Sequence, residues 1–113
     1  MTTSELPTWG EEEIRARLDA ELPAWTYGGA WLERELPADS RAGALLAASG
    51  IAYLAEAAFH HPDLEIRGDR VLVQVRHHWA AGVTDADFEL AHAVEDLLAR
   101  AGAADPDGSA GGR

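Results

Sequence analysis

The chain has 113 residues, 47% of them hydrophobic and 26% charged, and its formal net charge is −11. This size and composition predict one globular domain with a single modest core, and the acidic balance disfavours nucleic-acid binding through a basic patch. The sequence has no cysteine, and all nine basic residues are arginine, which excludes disulfides, thiolate zinc sites, cysteine nucleophiles and lysine Schiff-base chemistry.

The two ends of the chain differ in composition from its middle. Residues 1–7 are polar, without the cationic and apolar regions of a signal peptide. Residues 101–113 are small, rich in glycine and interrupted by proline, which is typical of a disordered tail. We therefore expect a flexible N-terminus at 1–7, a single domain at 8–100 and a disordered tail at 101–113. No apolar run approaches the ~20 residues of a membrane span, so we expect a cytoplasmic protein with no membrane association.

The first helix and first hairpin are predicted from caps, spacing and turn residues. Thr8 and Glu11 have the spacing of a capping box, and the helix is expected to run from Thr8 to Pro23. Its core positions recur every fourth residue, at Ile14, Leu18 and Leu22. Two short strands follow within 25–35, joined by the glycine pair at 28–29.

A long second helix and a second hairpin come next. Asp39 or Ser40 is the expected cap of an alanine-rich helix that ends near Phe59, because Pro62 disfavours helical geometry at the residue before it. Apolar residues then alternate with polar ones on both sides of a two-residue loop at 68–69. The candidate core positions of this hairpin are Leu64, Ile66, Val71, Val73 and Val75.

The last helix is expected to begin at Thr84, where Asp85 and Asp87 suit the positive end of the helix dipole. Its apolar stripe contains Phe88, Ala91, Val94, Leu97 and Leu98. The order of elements is therefore α-β-β-α-β-β-α. This order predicts an α+β two-layer sandwich, in which helices cover one face of an antiparallel sheet. The unpaired edge strands of this sheet also need protection, which favours a homodimer in which the edges of two sheets pair.

Four histidines form two adjacent pairs at element boundaries. His60-His61 follows the second helix, and His77-His78 follows the last strand. Glu56 stands one helical turn before His60, so we expect these two side chains to touch. Consecutive residues on a strand face opposite sides, so only one of His77 and His78 can join the first pair.

These residues carry a family resemblance. The stretch Glu-Ala-Ala-Phe-His-His-Pro at 56–62, with His78, the Gly-Val-Thr at 82–84 and Asp87, resembles the signature of the pterin-4a-carbinolamine dehydratases. The match runs without a gap from Glu56 to about Leu90. The resemblance implies a four-stranded antiparallel sheet with three helices on one face, assembled into homodimers or homotetramers.

The resemblance also implies a reaction. A 4a-hydroxytetrahydropterin loses water to give the quinonoid dihydropterin, with no metal and no cofactor, while histidines act as general acid and base. The implied acid/base pair is His60 and His78, and His61 binds and orients the reduced pterin. Glu56 would tune His60, and Asp87 would help to hold the site.

Two alternatives remain open on sequence. Gly68, His77 and Trp79 depart from the family pattern. His77 lies beside His78, where it would crowd the substrate or alter the proton affinity of the His78 ring. The chain is therefore also compatible with a non-catalytic relative that acts as an assembly or binding factor, for example for Rubisco. A divalent metal bound by the histidine pairs, Glu56 and Asp87 is a weaker alternative, because adjacent histidines seldom both ligate one ion.

Overall fold

A computed structural model describes residues 8–58, 60–76 and 82–100. It contains three helices, α1 (Glu11–Glu21), α2 (Arg41–Ala58) and α3 (Asp85–Leu98), and four strands, β1 (Thr26–Tyr27), β2 (Leu32–Pro37), β3 (Asp63–Arg67) and β4 (Arg70–Val75). The strands form one antiparallel sheet in the order β1-β2-β4-β3. The α+β two-layer class and the element order predicted from sequence are confirmed. The predicted N-terminal segment and C-terminal tail lie outside the described residues.

Helix α1 begins later than the spacing of Thr8 and Glu11 predicts. Its cap is Gly10, whose backbone N–H donates to Glu13 Oε1 at 3.2 Å. The physical reason lies in Trp9, whose backbone N–H donates to Val83 O at 2.9 Å and whose indole donates to Asp85 at 2.8 Å. These bonds hold the segment before Gly10 against the start of α3 and outside α1. The predicted core face of α1 is confirmed, with Ile14, Leu18 and Leu22 all buried.

Two hairpins build the sheet. In the first, Gly28 N–H donates to Trp31 O at 2.8 Å, and Gly29 has φ +99°. A Cβ on Gly28 would lie 2.4 Å from the Trp31 indole, so any larger residue there would force this indole to move. In the second, Gly68 has φ +62°, as a two-residue loop requires. Val71, Val73 and Val75 on β4 are fully buried, and Leu64 and Ile66 on β3 are partly buried against the same core.

Helix α2 covers the sheet with small side chains. Ser40 Oγ accepts from the Gly43 N–H at 3.0 Å, which confirms Ser40 as the cap. The buried residues are Ala44, Ala48, Ile51 and Ala55. Because alanine has little side chain, the helix axis can approach the sheet closely.

Helix α3 closes the core. Its buried residues are Asp87, Phe88, Leu90, Ala91 and Val94, and Leu97 and Leu98 are partly buried. The apolar stripe predicted for α3 is therefore confirmed, with Leu90 added to it. Trp25 is buried at the start of the first hairpin, and its indole donates to Glu95 at 2.7 Å. Among the described residues, no helix combines the length and hydropathy needed to cross a membrane.

Candidate active site

The end of α2 and the start of α3 bring an imidazole and a carboxylate together in the interior. His60 Nε2 lies 2.6 Å from Asp87 Oδ1, and the two side chains are 8% and 0% exposed. A carboxylate can only accept, so the Nε2 of His60 carries the proton of this hydrogen bond. This contact fixes the tautomer and the orientation of the ring.

The backbone at the end of α2 sets the position of His60. Its N–H donates to Ala55 O at 3.2 Å, so the residue stays attached to the helix after the last regular turn at Ala58. Pro62 prevents the helix from continuing through His61. His60 is therefore turned inward at a point where the chain leaves α2 for β3.

Asp87 is held by the first turn of α3. Its Oδ2 accepts from the Thr84 N–H at 2.9 Å, while its own N–H donates to Thr84 O at 3.1 Å. The carboxylate thus satisfies a backbone donor at the helix N-terminus with one oxygen and His60 with the other. The carboxylate also lies in the first turn of α3, at the positive end of the helix dipole.

The segment before α1 covers the same turn. The Trp9 ring packs edge-on against Phe88 at 5.2 Å between centroids, and Arg17 stacks over Phe88 at 4.2 Å. With the Trp9 bonds to Val83 and Asp85, these contacts attach residues 9–17 to the turn that carries Asp87. The turn that carries the buried carboxylate therefore packs against the first described segment of the chain.

The second histidine of the pair has a different environment. His61 Nε2 lies 3.1 Å from Glu56 Oε1, with side-chain exposures of 60% and 74%. Because Glu56 can only accept, His61 donates through Nε2. His61 is thus oriented by a surface carboxylate and presents its ring to solvent.

The expected contact between Glu56 and His60 is corrected by these distances. The spacing of four residues places Glu56 one turn before His60, but His60 lies beyond the last turn of α2 and its ring turns inward. Glu56 therefore pairs with His61 and Asp87 with His60.

The structure leaves part of the predicted site untested. It brings together His60 and Asp87, and it places His61 and Glu56 next to them along the chain. His77, His78 and Trp79 lie outside the described residues, and the last described residue before them is Arg76 at the end of β4. The roles of all six predicted site residues stay predictions.

Sequence reasoning missed the direct contact between His60 and Asp87. A usable signal was present, because Thr84 and Asp87 have the three-residue spacing of a capping box. An acidic residue used in this way at a buried helix start has one oxygen left for a second donor. The bonds from Trp9 to Val83 and Asp85 had no signal in the local pattern, since they join residues more than 70 positions apart.

The described histidines and carboxylates are too dispersed to form a metal site. Within the three described segments, no group of three or more histidine, aspartate or glutamate side chains is placed to hold an ion. The His60–Asp87 and His61–Glu56 pairs therefore stand as two hydrogen-bonded pairs in this part of the chain.

The fold and the site define a class of protein: an α+β domain that holds a buried histidine–aspartate pair between two helix ends, beside a solvent-facing histidine. The sequence model of the family described as pterin 4 alpha carbinolamine dehydratase matches residues 7–97. The chain belongs to this family.

Relatives and a solved structure agree with this assignment. The chain is similar to putative pterin-4-alpha-carbinolamine dehydratases from Aquifex aeolicus, at 33% identity over 78% of this chain and 88% of the relative, and from Chloroflexus aurantiacus, at 36% identity over 82% and 99%. It is also similar to the crystal structure of a transcriptional coactivator/pterin dehydratase from Brucella melitensis, with a TM-score of 0.72, 26% identity, and coverage of 80% of this chain and 98% of that one.

Proposed function

We propose that this protein dehydrates a 4a-hydroxytetrahydropterin to the quinonoid dihydropterin by histidine general acid/base catalysis. The observation that carries the proposal is the buried contact between His60 Nε2 and Asp87 Oδ1 at 2.6 Å, in a chain of the pterin carbinolamine dehydratase family. In this reaction the C4a–O bond breaks, the oxygen takes up a proton and leaves as water, and a ring nitrogen of the substrate loses a proton. Imidazole side chains are well suited to both proton transfers, because histidine can donate and accept protons near neutral pH.

The described residues are assigned roles from their surroundings, and the others from the family resemblance. His60 exchanges its proton through Nδ1, because Asp87 holds Nε2. His61 faces solvent and binds and orients the pterin, with Glu56 as its hydrogen-bond partner. His78 is proposed as the second acid/base group from the family resemblance, and His77 as its neighbour at the site. Asp87 is a positioning residue, since it acts through His60.

A dehydration assay tests the proposal. Freshly generated 4a-hydroxytetrahydropterin is mixed with the wild-type protein in a stopped-flow instrument, beside His60→Gln and His78→Ala. We expect each substitution to lower the rate by about 10²–10⁴-fold, the range for loss of a general acid or base. His92→Gln is the matched control, since His92 lies on α3 and bonds to Glu21 of α1, away from Asp87. Wild-type rates in both site variants would reject the proposed acid/base pair.

The same assay separates the proposed reaction from metal catalysis. We expect dialysis against a chelator to leave the wild-type rate unchanged, because imidazoles move both protons. A rate that is lost on chelation and restored by zinc would contradict this part of the proposal. A wild-type protein with no dehydratase activity, but with a correctly folded circular dichroism spectrum, would favour a binding or assembly role.

A further inference from the structure

One peptide group lies between the first described segment and the buried histidine–aspartate pair. The carbonyl of Val83 accepts from the Trp9 N–H at 2.9 Å. The N–H of the same peptide group belongs to Thr84, and it donates to Asp87 Oδ2 at 2.9 Å. Asp87 Oδ1 in turn accepts from His60 Nε2 at 2.6 Å. Hydrogen bonds therefore run in series from the backbone of Trp9 to the imidazole of His60.

This series, the Trp9 network, constrains the buried pair from outside. A peptide group is planar, so one bond to its oxygen and one to its N–H together fix its orientation. Hydrogen bonds in series also polarise one another, which strengthens each of them in a buried setting. Val83, Thr84 and Asp87 are all buried. The direction in which the Asp87 carboxylate points therefore depends on the backbone of Trp9.

The side chain of Trp9 holds that backbone in place. Its indole N–H donates to Asp85 Oδ1 at 2.8 Å, and its ring packs edge-on against Phe88. Arg17 covers both rings, with its guanidinium 4.9 Å from the Trp9 ring and 4.2 Å from the Phe88 ring. Trp9 lies outside α1, whose cap is Gly10, so its position depends on these side-chain contacts.

The outer and inner ends of the Trp9 network differ in exposure. Asp85, which accepts from the indole, is exposed, whereas His60 and Asp87 are buried. Reacting groups keep a productive geometry when packing and further hydrogen bonds lock their supports. We propose that Trp9 is a positioning residue for the His60–Asp87 pair and acts through the peptide group between residues 83 and 84. The catalytic consequence rests on the proposed dehydratase function, whereas the effect on the buried hydrogen bond does not.

Nuclear magnetic resonance measures the buried hydrogen bond without substrate. In the full-length protein with isotope-labelled histidine, the Nε2–H signal of His60 is assigned by its loss in His60→Gln. Trp9→Phe keeps a ring but loses the indole N–H, and we expect exchange of the His60 proton with water to accelerate about fivefold, the factor for one net hydrogen bond. Trp9→Ala also loses the ring contacts, so we expect an acceleration of at least about 30-fold.

Trp25→Phe is the matched control. The Trp25 indole donates to Glu95 at 2.7 Å, also on α3 but about two turns beyond Asp87. This substitution removes the same kind of bond to the same helix, so a general loss of stability should affect both phenylalanine variants alike. We expect the exchange rate of the His60 proton in Trp25→Phe to stay within about twofold of the wild-type rate.

A second pair of variants changes only the exposed partner of the indole. Asp85→Ala removes the acceptor, and we expect the same acceleration of about fivefold. Asp85→Asn keeps an oxygen that can accept from the indole and should exchange at nearly the wild-type rate. Both variants lose the charge, so their difference isolates the hydrogen bond. Because Asp85 is exposed, both should keep the wild-type circular dichroism spectrum.

The dehydration assay tests the catalytic consequence. We expect kcat to fall in Trp9→Phe and further in Trp9→Ala, with KM within about twofold of wild type, because Trp9 acts through the orientation of the buried pair. A wild-type protein without dehydratase activity would reject the proposed function, and the exchange rates would still decide whether Trp9 positions the pair.

Three results would overturn the proposal. They are a wild-type exchange rate of the His60 proton in Trp9→Ala, equal acceleration in Trp9→Phe and Trp25→Phe, and equal acceleration in Asp85→Ala and Asp85→Asn. In active protein, a rise in KM with unchanged kcat in Trp9→Ala would reject the catalytic consequence.

Discussion

His60 and His61 are neighbours in the chain, and each donates to a carboxylate, yet their surroundings are opposite. The His60–Asp87 pair is buried between two helix ends, and its carboxylate also caps α3. The His61–Glu56 pair lies at the surface, where water competes for both partners. The interior contact joins two helix ends, which the surface contact does not. Formally similar substitutions in the two pairs should therefore have unequal effects.

The largest expected effect is on the rate. Asp87→Asn keeps the volume of the side chain and an oxygen that can accept from Thr84, but its amide nitrogen cannot accept from His60. The imidazole must then change its tautomer or lose the contact, and we expect kcat to fall by about 10²-fold or more. The dehydration assay measures this, with thermal melting to confirm the fold. A variant with wild-type kcat would show that the buried contact does not position His60.

The next effect is on stability. Asp87→Ala removes a helix cap and leaves the Nε2–H of His60 without its carboxylate, so we expect a loss of about 3 kcal/mol in the free energy of unfolding. Glu56→Ala is the matched substitution at the surface pair, and we expect a change within about 0.5 kcal/mol. Urea denaturation of both variants gives the two values. Equal losses in the free energy of unfolding would show that the buried pair stabilises the fold no more than the surface pair does.

A smaller effect is expected from the surface pair on catalysis. Glu56→Gln keeps an acceptor for His61 but removes the charge. We expect KM to rise by less than about tenfold with kcat nearly unchanged, because His61 is proposed to orient the substrate and to carry no obligatory proton. Steady-state kinetics separates the two parameters. A large fall in kcat with constant KM would instead place His61 in the proton transfer.

The smallest effect concerns a third histidine–carboxylate pair. His92 Nε2 donates to Glu21 Oε1 at 2.9 Å, and this bond, followed by that from Arg17, holds the pKa of Glu21 below its ordinary value of 4.5. A lowered folded pKa stabilises the folded state above pH 4.5, and this contribution is lost as the pH falls through the folded value.

The melting temperature therefore should fall slightly less on acidification in His92→Gln than in the wild type, below about pH 4.5. Differential scanning calorimetry between pH 3 and pH 7 is the measurement. Because the pair is exposed, we expect only a small difference. A difference comparable to that from Asp87→Ala would show that exposure does not separate the strong pairs from the weak ones.

Local signals predicted the framework of the fold well. Alternating valines with glycine in a two-residue loop specified the second hairpin, and the fourfold spacing of Ile14, Leu18 and Leu22 specified the core face of α1. The start of α1 was misplaced because bonds from Trp9 to residues of the distant α3 segment override the local capping pattern.

The candidate site was harder to derive than the framework. Helical spacing predicted Glu56 beside His60, but the end of α2 decides which of two adjacent rings turns inward, and Glu56 pairs with His61. That decision depends on the packing of α3 and on Pro62. Asp87, which bonds to His60, lies 27 positions away in the sequence. No periodicity in the chain predicts a contact over this separation.

The bonds that join Trp9 to Val83 and Asp85 have a consequence for how the protein is made. They connect the first described residues to the turn that carries Asp87, across more than 70 positions. A chain emerging from the ribosome can form α1 and the first hairpin early, but it cannot assemble the His60–Asp87 pair until residues near 90 have been released. Nascent fragments shorter than this should therefore lack the proton-transfer centre, and its formation should be among the late steps of folding.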